Sequence, residues 1–219
     1  MGKEIVNQEA PLNPGKRSRL WYYKDVLNVL HKNLGEDDIE GIILDPPKLE
    51  EVTWNGLAFE KMNNLRILIV RNTLFLTSPK YLPNSLRLLD WEGYPSNTLP
   101  QDFSPPKLVC FKLYGSLFKL EEPLQRFDCV TYMNLSQCEF IREVPDMSHL
   151  KNLKTLNFRE CRNLIKVHDS VGFLCKLIRL DVSECTKLTS FPSEIKMESL
   201  QVFDLSNCKS LDYFPHIVG

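Results

Sequence analysis

The sequence predicts an α/β solenoid, with a curved parallel sheet on the concave side and short helices and irregular turns on the convex side, preceded by a short helical segment. Three observations carry this expectation. Leucine is over-represented, 34 of 219 residues, and an excess of one residue type points to an internal repeat. One apolar pattern then recurs seven times: Leu65-x-x-Leu68-x-Val70, Leu86-x-x-Leu89-x-Trp91, Leu108-x-x-Phe111-x-Leu113, Val130-x-x-Met133-x-Leu135, Leu153-x-x-Leu156-x-Phe158, Leu177-x-x-Leu180-x-Val182 and Leu200-x-x-Phe203-x-Leu205, at steps of 21, 22, 22, 23, 24 and 23 residues. Finally, the last four copies extend alike, through Cys138, Cys161, Cys185 and Cys208 to a Val or Phe six residues later.

A period of about 20 to 29 residues built on L-x-x-L-x-L is the leucine-rich-repeat signature, in which each unit adds one short strand to a parallel sheet. In chain order, residues 7–19 read as a polar connector. Trp21 to Leu34 places Trp21, Val26, Leu27, Val29, Leu30 and Leu34 on one broad face and stops at Gly35, which predicts an amphipathic helix with a glycine C-cap. Ile39, Ile42 and Leu44 form an irregular first copy, broken by Pro46 and Pro47. Ala58, Phe59, Met62 and Leu65 at helical spacing predict a short helix over Asn55 to Asn64. The later segments Ser148–Asn152, Ser170–Lys176 and Ser193–Ser199 each open with a capping hydroxyl and predict one-turn helices or turns. The chain therefore divides into residues 1–35, the end of a helical region and linker; 36–64, an irregular cap; and 65–219, seven repeats.

Composition excludes several function classes. Lys and Arg number 27 against 28 Asp and Glu, so bulk charge indicates neither nucleic acid nor an anionic membrane as partner. No apolar run approaches the roughly 18 residues of a spanning helix, and no signal-peptide core opens the chain. Seven cysteines without a C-x-x-C pair suit neither zinc nor a disulfide frame. Cys138, Cys161, Cys185 and Cys208 fall at one fixed repeat position, where small buried thiols reach backbone carbonyls, and such a ladder argues for the reducing cytosol or nucleus. His168, Asp169 and Ser170 carry the residue types of a hydrolase triad, but three consecutive side chains cannot converge; Asp169 or Ser170 is expected to cap a turn. Gly15-Lys16-Arg17-Ser18 lacks the spacing of a phosphate loop. No catalytic, metal or cofactor residue is assigned, and the chain does not read as an enzyme.

The third, fifth and seventh residues of each copy should line the concave face. That face begins apolar, at Ile67, Ile69 and Leu88, with Arg71, Asp90 and Glu92 as its rim, and this is the expected interdomain contact. Farther along, Tyr114, Tyr132, Asn134, Arg159, Arg179, Asp181 and Asp204 form the expected partner-binding surface. Aromatic and mixed-charge residues on a rigid sheet suit protein recognition.

Pro14-Gly-Lys-Arg-Ser-Arg-Leu-Trp21, Ile39-Glu-Gly-Ile-Ile-Leu-Asp45, Phe59-x-x-Met62-x-x-Leu65 and Tyr81-Leu-Pro-Asn-Ser-Leu-Arg87 followed by Asp90-Trp91 resemble plant disease-resistance proteins of the Toll/interleukin-1-receptor, nucleotide-binding, leucine-rich-repeat type. The resemblance implies that residues 1–34 close the winged-helix part of a nucleotide-binding region. It also implies that the repeats hold a receptor inactive and sense a pathogen effector or guarded host protein, with the nucleotide-binding domain of the same receptor family as the internal partner. The signalling domain, phosphate loop and Met-His-Asp motif of that type lie outside this sequence, so ADP or ATP is expected only on the nucleotide-binding domain. Ending at Gly219 directly after a repeat, the sequence reads as a fragment or truncated product. A stand-alone regulator or adaptor, and an extracellular receptor ectodomain, are the alternatives.

Overall fold

Each of the seven copies contributes one strand, and two further strands precede them. The structure, a computed structural model, describes residues 2–218 except 122–123 and 125–126. Met1 and Gly219, the outer bounds of the first and last expected segments, lie outside the described residues. The strands are β1 (Arg19–Leu20), β2 (Gly41–Leu44), β3 (Ile67–Val70), β4 (Leu88–Trp91), β5 (Cys110–Lys112), β6 (Tyr132–Asn134), β7 (Thr155–Asn157), β8 (Arg179–Asp181) and β9 (Val202–Asp204). They form one parallel sheet in strict chain order. The sheet is in register throughout, so that Leu20, Ile42, Leu68, Leu89, Phe111, Met133, Leu156, Leu180 and Phe203 stand in one row. All of these are buried except Phe203, which is partly covered. Parallel strands require a return path, and the remainder of each repeat supplies it.

Numbering each copy from its first apolar residue, the chain turns out of the sheet at position 8. Asn72, Gly93, Gly115, Gln137, Glu160, Glu184 and Asn207 occupy it, and all seven have positive φ, between 49° and 65°. For a residue other than Gly or Asn that conformation costs roughly 1–2 kcal/mol. Hydrogen bonds between coils offset it: the Gln137, Glu160 and Glu184 N–H groups donate to the carbonyls of Arg159, Ser183 and Ser206 at 2.8–2.9 Å.

Outside the sheet, helix is scarcer than the sequence predicts. Asn55 to Asn64 forms turns, with the Glu60 and Met62 N–H groups bonded to Leu57 and Phe59 carbonyls. Its apolar residues are nevertheless buried, with Phe59 in an edge-to-face cluster with Trp54, Trp91 and, through them, Phe75 and Tyr94. The helical spacing reflected burial on one side of a coil and not a helix. Only Asp169–Phe173 makes a 3-10 turn among the described return segments. Its cap is His168, whose Nδ1 accepts from the Ser170 N–H at 3.1 Å, instead of Asp169 or Ser170. Short parallel pairs complete the outer side, Glu50–Val52 with Thr73–Phe75, Glu143–Val144 with Lys166–Val167, and Glu194–Ile195 with His216–Ile217.

The N-terminal end also differs. Residues 7–19 are not a plain connector: α1 (Gly2–Glu9), a 3-10 turn at Pro14–Lys16 and β1 lie within or beside them. Arg17 is buried, its guanidinium donating to the Ala10 and Pro11 carbonyls and pairing with Asp25 at 2.6 Å. Helix α2 spans Tyr23–Lys32 and ends at Asn33 in the left-handed conformation, so Asn33 takes the capping role expected of Gly35. Gly35 instead makes room for a side chain, since a Cβ there would sit 2.0 Å from Met62 Cε and the methionine would have to shift. Val26, Val29 and Leu30 of α2 are buried in the same core as Leu20 and Ile39.

Candidate functional site

Positions 3, 5 and 7 of successive copies come together on the concave face, in rows fixed by the register. The position 3 row runs Arg19, Gly41, Ile67, Leu88, Cys110, Tyr132, Thr155, Arg179, Val202. Ile67 is 41% exposed and Ile69 and Leu88 are half-buried, so helix α2 leaves this apolar start open.

Next to it lies an ion cluster. Asp90 is 2% exposed. Its Oδ2 receives both Arg71 Nη2 at 3.0 Å and Lys112 Nζ at 3.2 Å. The hydrogen bond to Asp90 raises the Arg71 guanidinium above its ordinary value, so it is a permanent cation. Lys112 also stands over the Tyr132 ring, 5.1 Å from its centroid. Tyr114 is pushed up to about 12, first by burial and then by the neighbouring Glu92 carboxylate, so its hydroxyl stays a neutral donor. Tyr114 and Tyr132 are both half-buried on this face.

Toward the other end the side chains serve the backbone. Asn134 Oδ1 accepts from the Ser136 N–H at 2.9 Å, Asn157 from Arg159 at 2.8 Å, Asp181 from Ser183 at 3.2 Å and Asp204 from Ser206 at 2.9 Å. Each is an Asx turn that closes a strand and leads into the left-handed residue three positions on. Asp181 is buried and also accepts the Ser183 hydroxyl at 2.6 Å. The Ser206 bonds hold the Asp204 carboxyl below its usual value. Arg159 and Arg179 are exposed, beside Glu160 at 3.2 Å and Asp181 at 3.3 Å.

Position 9 carries Cys138, Cys161, Cys185 and Cys208. Each thiol donates to the position 6 carbonyl of the preceding coil, at Leu113, Leu135, Phe158 and Val182, over 3.0–3.2 Å. All seven cysteines are free. Burial raises the ladder thiols, Cys185 to about 12, so they remain protonated donors at neutral pH.

No family model matches the chain. Disease resistance protein RPP2A of Arabidopsis thaliana is 35% identical over 97% of this chain. The TMV resistance protein N of Nicotiana glutinosa is 32% identical over 100% of it, and the Arabidopsis Protein SUPPRESSOR OF npr1-1, CONSTITUTIVE 1 is 35% identical over 92%. The chain belongs to the plant disease-resistance proteins. Its type is the Toll/interleukin-1-receptor, nucleotide-binding, leucine-rich-repeat one. This disease-resistance chain spans 17%, 19% and 14% of those three relatives' lengths, so it corresponds to a segment of each. A solved functional domain of InlJ from Listeria monocytogenes aligns with 83% of the chain and 56% of its own at 14% identity, with a TM-score of 0.40.

Two features of this disease-resistance chain escaped the sequence reading. Lys112 was not singled out, although Asp90 and Lys112 hold the same position in adjacent copies and are therefore cross-strand neighbours. The position 8 turn was missed as well; its signal was the Asn72, Gly93, Gly115 and Asn207 series, interrupted by Gln137, Glu160 and Glu184.

Proposed function

We propose that the chain is the protein-recognition and autoinhibitory module of an intracellular plant immune receptor acting in defence. The observation that carries this reading is the near-full-length likeness to disease-resistance proteins, joined to a rigid sheet whose concave face passes from open apolar to aromatic and charged. The nucleotide-binding domain of the same receptor family docks on Ile67, Ile69 and Leu88. A pathogen effector or guarded host protein binds farther along, chiefly through Tyr114, Tyr132, Arg159 and Arg179, while Asn134, Asp181 and Asp204 hold the strand ends that present them. Ligand switches the receptor only by favouring the undocked state over the docked one. The module itself turns over no substrate and binds no nucleotide, ADP or ATP belonging to the neighbouring domain. It works in the cytosol or nucleus; no helix among the described residues is long and apolar enough to cross a membrane.

The test fuses the chain behind the N-terminal part of a relative such as RPP2A and expresses it in leaves. The fusion is expected to be silent. Ile69→Glu is expected to trigger defence without pathogen, because burying an unpaired carboxylate costs several kcal/mol. A stably accumulated Ile69→Glu fusion that stays silent would refute the docking assignment.

A further inference from the structure

The two long edges of the apolar strip differ in charge, and this specifies what fits it. On one edge, Arg71 is consumed by Asp90, while Asp45 and Glu92 lie at the equivalent positions of the neighbouring coils. On the other edge stand the residues that lead into β2 to β5. Among the three residues before each of these strands, 38–40, 64–66, 85–87 and 107–109, the carboxylates Asp38 and Glu40 stand before β2 alone, whereas Arg66, Arg87 and Lys107, all three exposed, precede β3, β4 and β5 with no carboxylate among them. Glu40 faces Arg66 at 3.8 Å, the long limit of an ion pair. Arg87 and Arg19, which opens the position 3 row, have no ionic partner among the described residues, and both are exposed. The strip is made by Ile67, 41% exposed, with Leu88 and Cys110 half-buried beside it, and Val109, 43% exposed, continues the row of Arg66 and Arg87 one residue before it.

Adjacent strands stand about 4.8 Å apart, so Arg66 and Arg87 place two like charges side by side at the margin of an apolar surface. A desolvating partner would make that arrangement unfavourable unless it brought carboxylates of its own.

We propose that the surface of Ile67, Leu88 and Val109, bordered by Arg66 and Arg87, is a docking site for an acidic amphipathic protein segment. The segment lays its apolar side chains on the strip and turns its carboxylates to the arginines. This rests on the reading of the concave face as a protein-binding surface, and deepens it by fixing the chemistry and orientation of what binds at its N-terminal end. Asp90 contributes by exclusion: it pairs with both Arg71 and Lys112, and together with Asp45 and Glu92 it sets three carboxylates against those two cations, leaving the Arg66 and Arg87 edge as the one that attracts anions.

Fluorescence anisotropy with the full chain tests this. The probe is a dye-labelled amphipathic helical peptide of Leu, Ala and Glu, about 18 residues or five turns, compared with the same peptide carrying Lys for Glu. The acidic peptide is expected to bind saturably, more weakly as salt rises, and the basic one at least about tenfold less well. The doubly reversed Arg66→Glu, Arg87→Glu chain should lose at least about tenfold for the acidic peptide and gain for the basic one. Both residues are exposed, so unfolding is not expected, and circular dichroism checks it. Equal binding of the two peptides, no saturable binding of the acidic one, or indifference to the charge reversal overturns the proposal. If binding survives the reversal but is lost in Tyr132→Ala, the concave face still binds protein and only the acidic-segment assignment fails.

Discussion

Two glycines of the return path are needed for different reasons, and substituting each with alanine separates them. Gly115 has φ +61° and nothing within 4 Å of the place a Cβ would take. Alanine there meets only backbone strain, roughly 1–2 kcal/mol, partly offset by the roughly 0.4–1 kcal/mol that a less flexible unfolded chain returns. The expected net loss is about 1 kcal/mol. Gly172, inside the 3-10 turn, has the opposite character. Its φ is ordinary, but a Cβ would lie 2.5 Å from the Glu194 carbonyl oxygen and 3.2 Å from Pro192 Cβ. The Gly172 carbonyl in turn accepts from the Lys196 N–H at 2.8 Å, so the two coils cannot simply separate. Overpacking against backbone puts the expected loss at about 3 kcal/mol. Urea unfolding followed by circular dichroism reads both, and Gly115→Asn should be milder than Gly115→Ala because Asn72 and Asn207 already hold that position. A Gly115→Ala loss equal to or above that of Gly172→Ala, or a Gly172→Ala loss below about 1 kcal/mol, would refute the reasoning.

Leu156→Ala should cost about 2–5 kcal/mol in the same assay, since Met133 and Leu180 are held in register on either side and cannot collapse into the void. Asp90→Ala should cost roughly 1–3 kcal/mol by leaving Arg71 and Lys112 without their shared partner, a loss moderated by the partial exposure of both cations. Brief alkylation of the native protein near pH 8 should label exposed Cys129 and Cys175 and spare Cys138, Cys161 and Cys185 until it unfolds; mass spectrometry decides. Because the folded ladder thiols titrate above their unfolded value, their contribution is present below about pH 8.5 and lost as pH rises toward 12, so unfolding midpoints should fall over that range. Asp204 has the reverse sign: its lowered carboxyl contributes above about pH 4 and the contribution disappears on further acidification, which Asp204→Asn should blunt.

The sheet was legible because its signal is redundant. A strand whose Leu156 is followed two residues later by Phe158, repeated at near-constant spacing, leaves one register that buries every copy. The convex side lacked that redundancy. Ala58, Phe59 and Met62 pack inward from turns, and apolar spacing over ten residues cannot distinguish one buried side of a coil from a helix face. The N-terminal segment was obscured for another reason: Arg17 reads as a solvated charge, whereas its guanidinium is satisfied by two backbone carbonyls and Asp25 that only the fold brings together. On the concave face the row composition was readable, yet residue type alone did not reveal that Asn134, Asp181 and Asp204 cap strand ends while Tyr114 and Tyr132 present rings on the open surface.

The left-handed residue at position 8 divides every coil into two parts with different tolerance. From position 1 to position 9 the count is identical in all seven copies, whereas the steps between copies vary from 21 to 24 residues. All of that variation therefore falls after the turn. A residue inserted before it would reverse which side chains face the core in that coil and misalign its strand against both neighbours. In the last four copies the spacing holds on through the position 9 cysteine to the Val or Phe six residues later, and a residue inserted beyond that point only lengthens an outer loop. Length change in this molecule is thus channelled to the outer surface, where it reshapes the exterior without disturbing the spacing of the side chains that a partner would read on the inner one.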